Sequence, residues 1–374
     1  MVSPYELDSD SVKLRQRRLV EAMDAMGLDW VVLTQIPHVY WLTGARFKWT
    51  FEPAVAISKQ GHVLLVGPKK QPEEAVCDER EAYDAQWLST MRNDQRAASS
   101  EVFLKLFASH DPGKRIGVEF ASFSQHLAGP LRGKGAELLD IEPAMYQLRR
   151  RKGADELAKI RKAIDGTRVM YERARQIVKP GVSEIEVYNE LQSVCIEEFG
   201  EPWTETGNDY RCGARGGSPR DGRTCEPGEL YILDLGPAFR GYFADNSRAI
   251  AVTEPTREQL AAWEVLQQSF RHIEATVKPG KSCRELFAEV DAMVNGPGVG
   301  VFNHHLGHGI GLFPHEGPHL NPNWDDTFEV GDVFTCEPGL YSDAMRQGMR
   351  LENDYLVTET GIENLSPFPM ELKL

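Results

Sequence analysis

The strongest constraint on this chain is an internal repeat. Val178-Lys179-Pro180-Gly181-Val182-Ser183 returns as Val277-Lys278-Pro279-Gly280-Lys281-Ser282, 99 positions later. Each copy follows a helical stretch and opens another. Pro-Gly stops the preceding helix. Ser183 with Glu186, and Ser282 with Glu285, have capping-box spacing, in which serine and glutamate satisfy free amides at a helix start. Downstream, Gly228-Glu229-Leu230-Tyr231-Ile232-Leu233-Asp234 matches Gly331-Asp332-Val333-Phe334-Thr335-Cys336-Glu337 at an offset of 103. Pro-Gly-x-Ser alone is a common helix turn, but two matched segments in the same order favour duplication. Each half then reads helix, turn, helix, antiparallel hairpin. The hairpins are expected to join into one curved sheet with helices outside it, related by a pseudo-twofold axis. A site on such an axis takes one set of ligands from each half.

Helices and strands alternate ahead of the repeat. Asp10 or Ser11 is placed to cap a helix running to Met26, with Gly27 just past its end. Trp30-Val31-Val32-Leu33 has the look of a buried strand. Residues 53–57 and 62–66 flank Lys59-Gln60-Gly61, a hairpin signal. Ile116-Gly117-Val118 and Leu138-Leu139 suggest further strands. The expected fold class is α/β (α+β), with an α/β domain over 1–150 and the duplicated domain over 151–374. Arg149-Arg150-Arg151-Lys152-Gly153 marks the boundary and reads as a solvated basic turn. Leu157, Ile160 and Ile164 recur at helical spacing after it.

The first hairpin carries Asp234 and Asp245. A loop around residues 238–241 would set the two opposite each other, and directly paired residues share a face. Leu230 and Ile232 share that face by alternation. Two close carboxylates in apolar surroundings do not both stay ionised without a cation. For this pair alone, strand ends exposed to water are an equal account.

The second half supplies the counterpart. Glu337 takes the Asp234 position of the repeat, and Glu352 follows on the return strand. Between the hairpins lie His304, His305, His308, His315 and His319, five of the ten histidines within 16 residues. Gly307, Gly309 and Gly311 among them would let the backbone approach a bound group. Four carboxylates and one imidazole suit a pair of divalent ions, with Mn2+, Co2+, Zn2+ and Fe2+ as the candidates. Such a pair activates water and polarises a carbonyl.

Composition narrows the partners. The 374 residues carry 42 basic and 56 acidic side chains, a net charge of −14. That balance disfavours nucleic acid or an anionic membrane, both of which ask for a basic surface. No apolar run is long enough for a transmembrane helix, and the start lacks the apolar core of a secretory signal. Cys77, Cys195, Cys212, Cys225, Cys283 and Cys336 form no CxxC pair and read as reduced thiols of a cytoplasmic protein, with Cys212 and Cys225 close enough in sequence to pair.

Taken together these motifs resemble the pita-bread fold metallopeptidases: Xaa-Pro aminopeptidases, Xaa-Pro dipeptidases (prolidases) and their creatinase-like relatives. The resemblance rests on Asp234, Asp245 eleven residues on, Gly307-His308-Gly309-Ile310-Gly311-Leu312, Glu337-Pro338-Gly339 and Arg350-x-Glu352. It is close over 155–374. It is looser ahead of that, through Val39-Tyr40-Trp41-Leu42-Thr43-Gly44. It implies that Asp245 and Glu352 bridge two metals, that Asp234 completes one, and that His308 and Glu337 complete the other. It also implies that Glu337 handles the proton of the attacking water. His315 would bind substrate or the oxyanion, and His304 would lie near the substrate. Arg350 resembles an arginine of proline-specific peptidases and creatinases, and suits a substrate carboxylate or carbonyl. A homodimer and a short peptide or small-molecule substrate are further implications.

One position departs from the pattern. Proline-specific members carry another histidine upstream of the first aspartate, and 211–223 has none. It holds Arg211, Arg215, Arg220, Arg223 and four glycines, and could form an anion-binding wall. The five-ligand set and Arg350, read through the resemblance, imply a hydrolase cleaving before proline, while the histidine-free loop motivates an alternative. The alternatives are a creatinase-like hydrolase or lyase acting on a small charged metabolite, or a binding protein that keeps the fold without catalysis.

Overall fold

The computed structural model describes residues 3–70, 72, 74–111 and 113–373. Two compact units divide the chain, Met1–Arg149 and Arg150–Leu374. The first is built on a six-stranded sheet, in the order Glu79–Tyr83, Val63–Pro68, Ala54–Ser58, Trp30–Leu33, Arg115–Val118 and Glu137–Asp140. Its central strands are buried on both faces, which explains their unbroken apolar runs. The first helix, Ser9–Met26, starts earlier than the expected cap. Asp8 caps it instead, accepting from the N–H groups of Asp10 at 3.0 Å and Ser11 at 3.2 Å. Ser11 turns its hydroxyl onto the same carboxylate. Gly27 ends the helix in the left-handed region, where a Cβ is costly.

The second unit shows the duplication as paired hydrogen bonds. Gly181 N–H reaches Cys225 O at 2.9 Å, and Gly280 N–H reaches Phe328 O at 2.8 Å. Glu226 N–H donates to Glu229 and Glu329 N–H to Asp332, both at 2.8 Å. Ser183 bridges to Thr224, and Ser282 to Thr327. The helices are Ala154–Ile177 and Glu184–Phe199 in one half, Arg257–Thr276 and Cys283–Asn295 in the other. Ser183 and Ser282 accept from the N–H groups of Glu186 and Glu285. The serine half of each expected capping box therefore forms.

The hairpins do not merge into the expected single sheet. Asp209–Cys212, Leu230–Leu235 and Asn246–Ala251 form one three-stranded sheet. Gly307–Gly309, Glu316–Leu320, Val333–Cys336, Asn353–Val357 and Ile362–Asn364 form a five-stranded one. Links such as Glu352 N–H to Ser247 O at 3.0 Å join them. Pro237 and Pro338 interrupt the first strand of each hairpin because proline has no N–H to donate. The tips continue as two-stranded ribbons.

The basic run at the boundary is not a solvated turn. Arg149, Arg150 and Lys152 are all buried. Arg150 makes a two-pronged pair with Asp332, at 2.9 and 2.6 Å, and Lys152 lies 3.4 Å from Glu316. Partners distant in sequence repay the desolvation.

Candidate metal centre

Strand register sets where the acids point. The first hairpin turns on Arg240 and Gly241, both at positive φ, and pairs Phe239 with Tyr242 and Asp234 with Ser247. Asp234 is therefore opposite Ser247, not Asp245 as the expected loop would have it. The difference is two residues along one strand, and the side-chain period is also two, so the two aspartates still share a face. In the second hairpin Cys336 pairs with Asn353 and Gly339 with Arg350. That register sets Glu337 directly across from Glu352.

All five expected ligand residues come together. Asp234, Asp245 and Glu352 form one group whose carboxylate oxygens lie within 4.8 Å of one another. His308, Glu337 and Glu352 form a second, and Glu352 belongs to both. All five side chains are buried. They line a cavity of about 300 Å³ with Asn208, Asp209, Arg215, His304, His305, His315, Tyr341 and Arg350.

Electrostatics show what these groups lack. Burial first, then the charges of Asp234 and Glu337, push Asp245 well above the usual carboxylate range. Burial, with Glu337, Asp234 and Asp245 as neighbours, does the same to Glu352. Burial also raises Asp234, against the opposing charge of Arg350. Both oxygens of Glu352 and Oδ1 of Asp234 are buried with no hydrogen-bond donor among the described residues. Buried carboxylate oxygens without donors are costly unless a cation satisfies them. The donor set thus fits a divalent pair: oxygen-rich, sharing one acid, and short of positive charge.

Glu337 is the exception among the acids. Burial pushes it up, but the hydrogen bond and charge of His305, with His308 and Arg350, outweigh burial and hold it at about 2. Burial brings His308 down to about 4, so its ring is neutral near pH 7, as a metal ligand requires. His308 Nδ1 lies 3.1 Å from Gly309 O, which fixes the proton there and leaves Nε2 bare. That bare nitrogen faces Glu337 at 3.5 Å and Asp245 at 3.6 Å.

The expected outer residues His304, His315 and Arg350 line the same cavity. His304 has Nδ1 2.8 Å from His305 O and Nε2 3.0 Å from the Tyr341 hydroxyl. It is His305 whose Nε2 sits 2.7 Å from Glu337. His315 stacks on His308, with ring centroids 3.6 Å apart. Arg350 Nη2 donates to Asp234 at 2.6 Å and to Asp209. A Cβ on Gly307 would collide with Thr335 O, and one on Gly309 with Gly317 O, so these glycines let neighbouring strands close up.

Sequence reasoning missed Asp209, His305 and Tyr341 as site residues, and could not single out Arg215 among the four arginines of its loop. Asp209 pairs across from Asp234 in the three-stranded sheet, a register the chain's motifs do not announce. In the histidine-free loop three arginines are engaged elsewhere: Arg220 with Glu184, Arg223 with Glu229, and Arg211 with Ser218 O. Within that loop Gly217 sits at a φ of 112°, a backbone conformation that residues with side chains rarely adopt. Arg215 alone of the four lines the cavity. It lies 3.8 Å over the Tyr341 ring and donates to Asn303 at 2.6 Å. Among the described residues it has no carboxylate partner.

Comparisons with known proteins agree with this picture. The model of metallopeptidase family M24 matches residues 158–359, and that of the creatinase/prolidase N-terminal domain matches residues 15–151. An uncharacterized peptidase of Staphylococcus aureus strain USA300 is 26% identical over 360 residues, covering 94% of this chain and 98% of its own. A Xaa-Pro dipeptidase of Pyrococcus horikoshii is 26% identical over 372 residues, covering 97% and 99%. Among solved structures, the prolidase of P. horikoshii superposes with a TM-score of 0.80 at 24% identity, over 96% of this chain and 99% of that one. A Xaa-Pro dipeptidase of Bacillus anthracis has a TM-score of 0.80 at 26% identity, over 97% and 99%.

Proposed function

The chain belongs to metallopeptidase family M24, and on that premise we propose that it is a Xaa-Pro dipeptidase or aminopeptidase, cleaving the bond before proline in short peptides. The observation that carries this reading is the pair of buried ligand groups sharing Glu352. Asp234, Asp245, His308, Glu337 and Glu352 would hold two divalent ions, drawn from Mn2+, Co2+, Zn2+ and Fe2+. When bound, such ions supply Lewis acidity, lowering the pKa of water and polarising a carbonyl.

The protein groups divide the remaining work. Glu337 takes the proton of the attacking water, and His305 steadies the carboxylate through its 2.7 Å contact. His315, at the cavity wall, faces the oxygen that gains charge as the carbonyl becomes tetrahedral. Arg350 braces Asp234 and Asp209, while Tyr341 and His304 form one hydrogen-bonded wall. Arg215 offers the cavity a cation with no carboxylate of its own, which suits the free carboxylate of a dipeptide. Incubation with Xaa-Pro dipeptides and longer Xaa-Pro peptides, with Mn2+ or Co2+ added, tests the proposal; absence of turnover with every metal defeats it.

The same Arg215, with no histidine in its loop, supports a second reading. A creatinase-like hydrolase or lyase would use that cation for a small charged non-peptide metabolite. Efficient turnover of proline peptides argues against it. A cytoplasmic homodimer is the proposed setting. The six free cysteines and the lack, among the described residues, of any helix long and apolar enough to cross a membrane support the first part. Family resemblance alone supports the second, and sedimentation of the purified chain tests it.

A further inference from the structure

A second cluster of metal-ligand type lies in the first unit, built from His62, Glu79 and His110. Three separate segments bring them together. The backbone of His62 is tied on both sides to Ser58, by Ser58 N–H to His62 O at 3.0 Å and His62 N–H to Ser58 Oγ at 3.1 Å. Glu79 opens the strand Glu79–Tyr83 and pairs in register with Leu64, which puts it on the face that His62 shares by alternation. Its neighbour Asp78 is fixed by two bonds to Val63. His110 follows the helix Gln95–Phe107, with its N–H on Phe107 O and its ring edge-on to Trp30 at 5.8 Å.

The side-chain geometry converges on one oxygen. His62 Nε2 lies 2.7 Å and His110 Nε2 3.2 Å from the same Glu79 Oε1. The two rings stand 5.3 Å apart at 45°. His110 Nε2 is buried and makes no aligned hydrogen bond among the described residues. All three donor atoms lie within 4.8 Å of one another. Two imidazole nitrogens aimed at one carboxylate oxygen are satisfied together by a cation between them.

We propose that His62, Glu79 and His110 form a metal site of their own, selective for Zn2+ or a similar borderline ion. Two imidazoles and one carboxylate suit such an ion, whereas Mg2+ and Ca2+ prefer all-oxygen sets. Three protein ligands leave a fourth position for water. Asp78 Oδ2 lies 3.6 Å from His62 Nδ1, close to where an outer carboxylate orients a ligand imidazole. The side chains are partly exposed, so an ion has an entry path. Bound there, it clips the 58–62 turn, the start of the Glu79–Tyr83 strand and the segment after the Gln95–Phe107 helix, and stabilises the first unit by mass action.

The test uses the full chain, stripped with a chelator and titrated with Zn2+ while metal content and melting temperature are recorded. Wild type should bind one more equivalent per chain than the His62→Ala/His110→Ala variant, and melt higher once that equivalent is bound. A Asp245→Asn/Glu352→Gln variant, altered in the second unit, should keep the equivalent and its melting shift. Glu79→Gln, which preserves shape, should weaken that site by about 10–100-fold or more. Peptidase activity of the His62 and His110 variants, assayed at saturating metal, should match wild type. Equal Zn2+ stoichiometry and equal melting shifts in wild type and Glu79→Gln would overturn the proposal, even if the double alanine variant failed to fold.

Discussion

Arg350 Nη2 stands 2.6 Å from Asp234 Oδ2, so the chain's own cation already grips one of the acids assigned to metal. The guanidinium also holds Asp209, which lies across from Asp234 in the sheet. Arg350→Lys keeps the charge and loses the planar fork. It should weaken metal binding and lower kcat together, each by about 10–100-fold, the range for residues that orient a ligand. Competition against a chelator and steady-state kinetics check this. A rise in KM with metal affinity unchanged would instead assign Arg350 to the substrate.

Arg215→Ala should act on binding alone. Its loss should raise KM about tenfold, or about 1.4 kcal/mol, for Xaa-Pro dipeptides with a free carboxylate, leaving kcat little changed. The C-terminal amides of the same peptides should show no such rise. Parallel kinetics on acid and amide substrates measure the difference.

Metal removal should cost stability as well as activity. Asp234, Asp245 and Glu352 are crowded and buried, and all are pushed above the usual carboxylate range. Dialysis against a chelator should abolish turnover and lower the melting temperature, and divalent metal should restore both. Calorimetry of the stripped and reloaded protein reads the second effect.

Arg248 is fully buried and donates to the backbone oxygens of Ser247, Glu352 and Ser366. Arg248→Met would strand several of these carbonyls and free the C-terminal segment from the strand behind Glu352. A loss of about 3 kcal/mol is expected, read from urea unfolding.

Acid should unpick a different contact. Asp29 accepts from Lys59 at 2.8 Å and from the N–H groups of Lys114 and Arg115. The Lys59 bond first, then the two amides, hold its carboxyl at about 2. A depressed folded value means that its stabilisation is complete above the ordinary value of about 4, and is lost as pH falls through the folded value. Asp29→Asn should therefore destabilise by about 1 kcal/mol near neutral pH, after solvent screening. The gap from wild type should shrink at about pH 3. Urea midpoints of both proteins across that range test the sign.

How much of the site was legible depends on the range of each interaction. Ser183 and Ser282 could be read as caps because a cap joins residues three apart. Duplication was legible because both copies repeat the same local chemistry, from Gly181 and Gly280 to Glu229 and Asp332. The face shared by Asp234 and Asp245 survived an error in the expected turn, since a shift of two residues restores the same side of the sheet. The cap of the first helix was misjudged because Asp8, Asp10 and Ser11 all have capping side chains, and only the path of the chain selects among them.

Residue order alone decides that the second domain is two related halves, with two acids on each hairpin and a histidine-rich segment between them. That follows from periodicity and spacing, which operate over a few residues. Folding alone decides that His305 rests on Glu337, and that Arg350 is committed to Asp209 and Asp234. Those pairings join side chains from separate strands and loops, and their strength comes from burial. A charge in the interior must find its partner in space, and no local spacing reports where that partner lies.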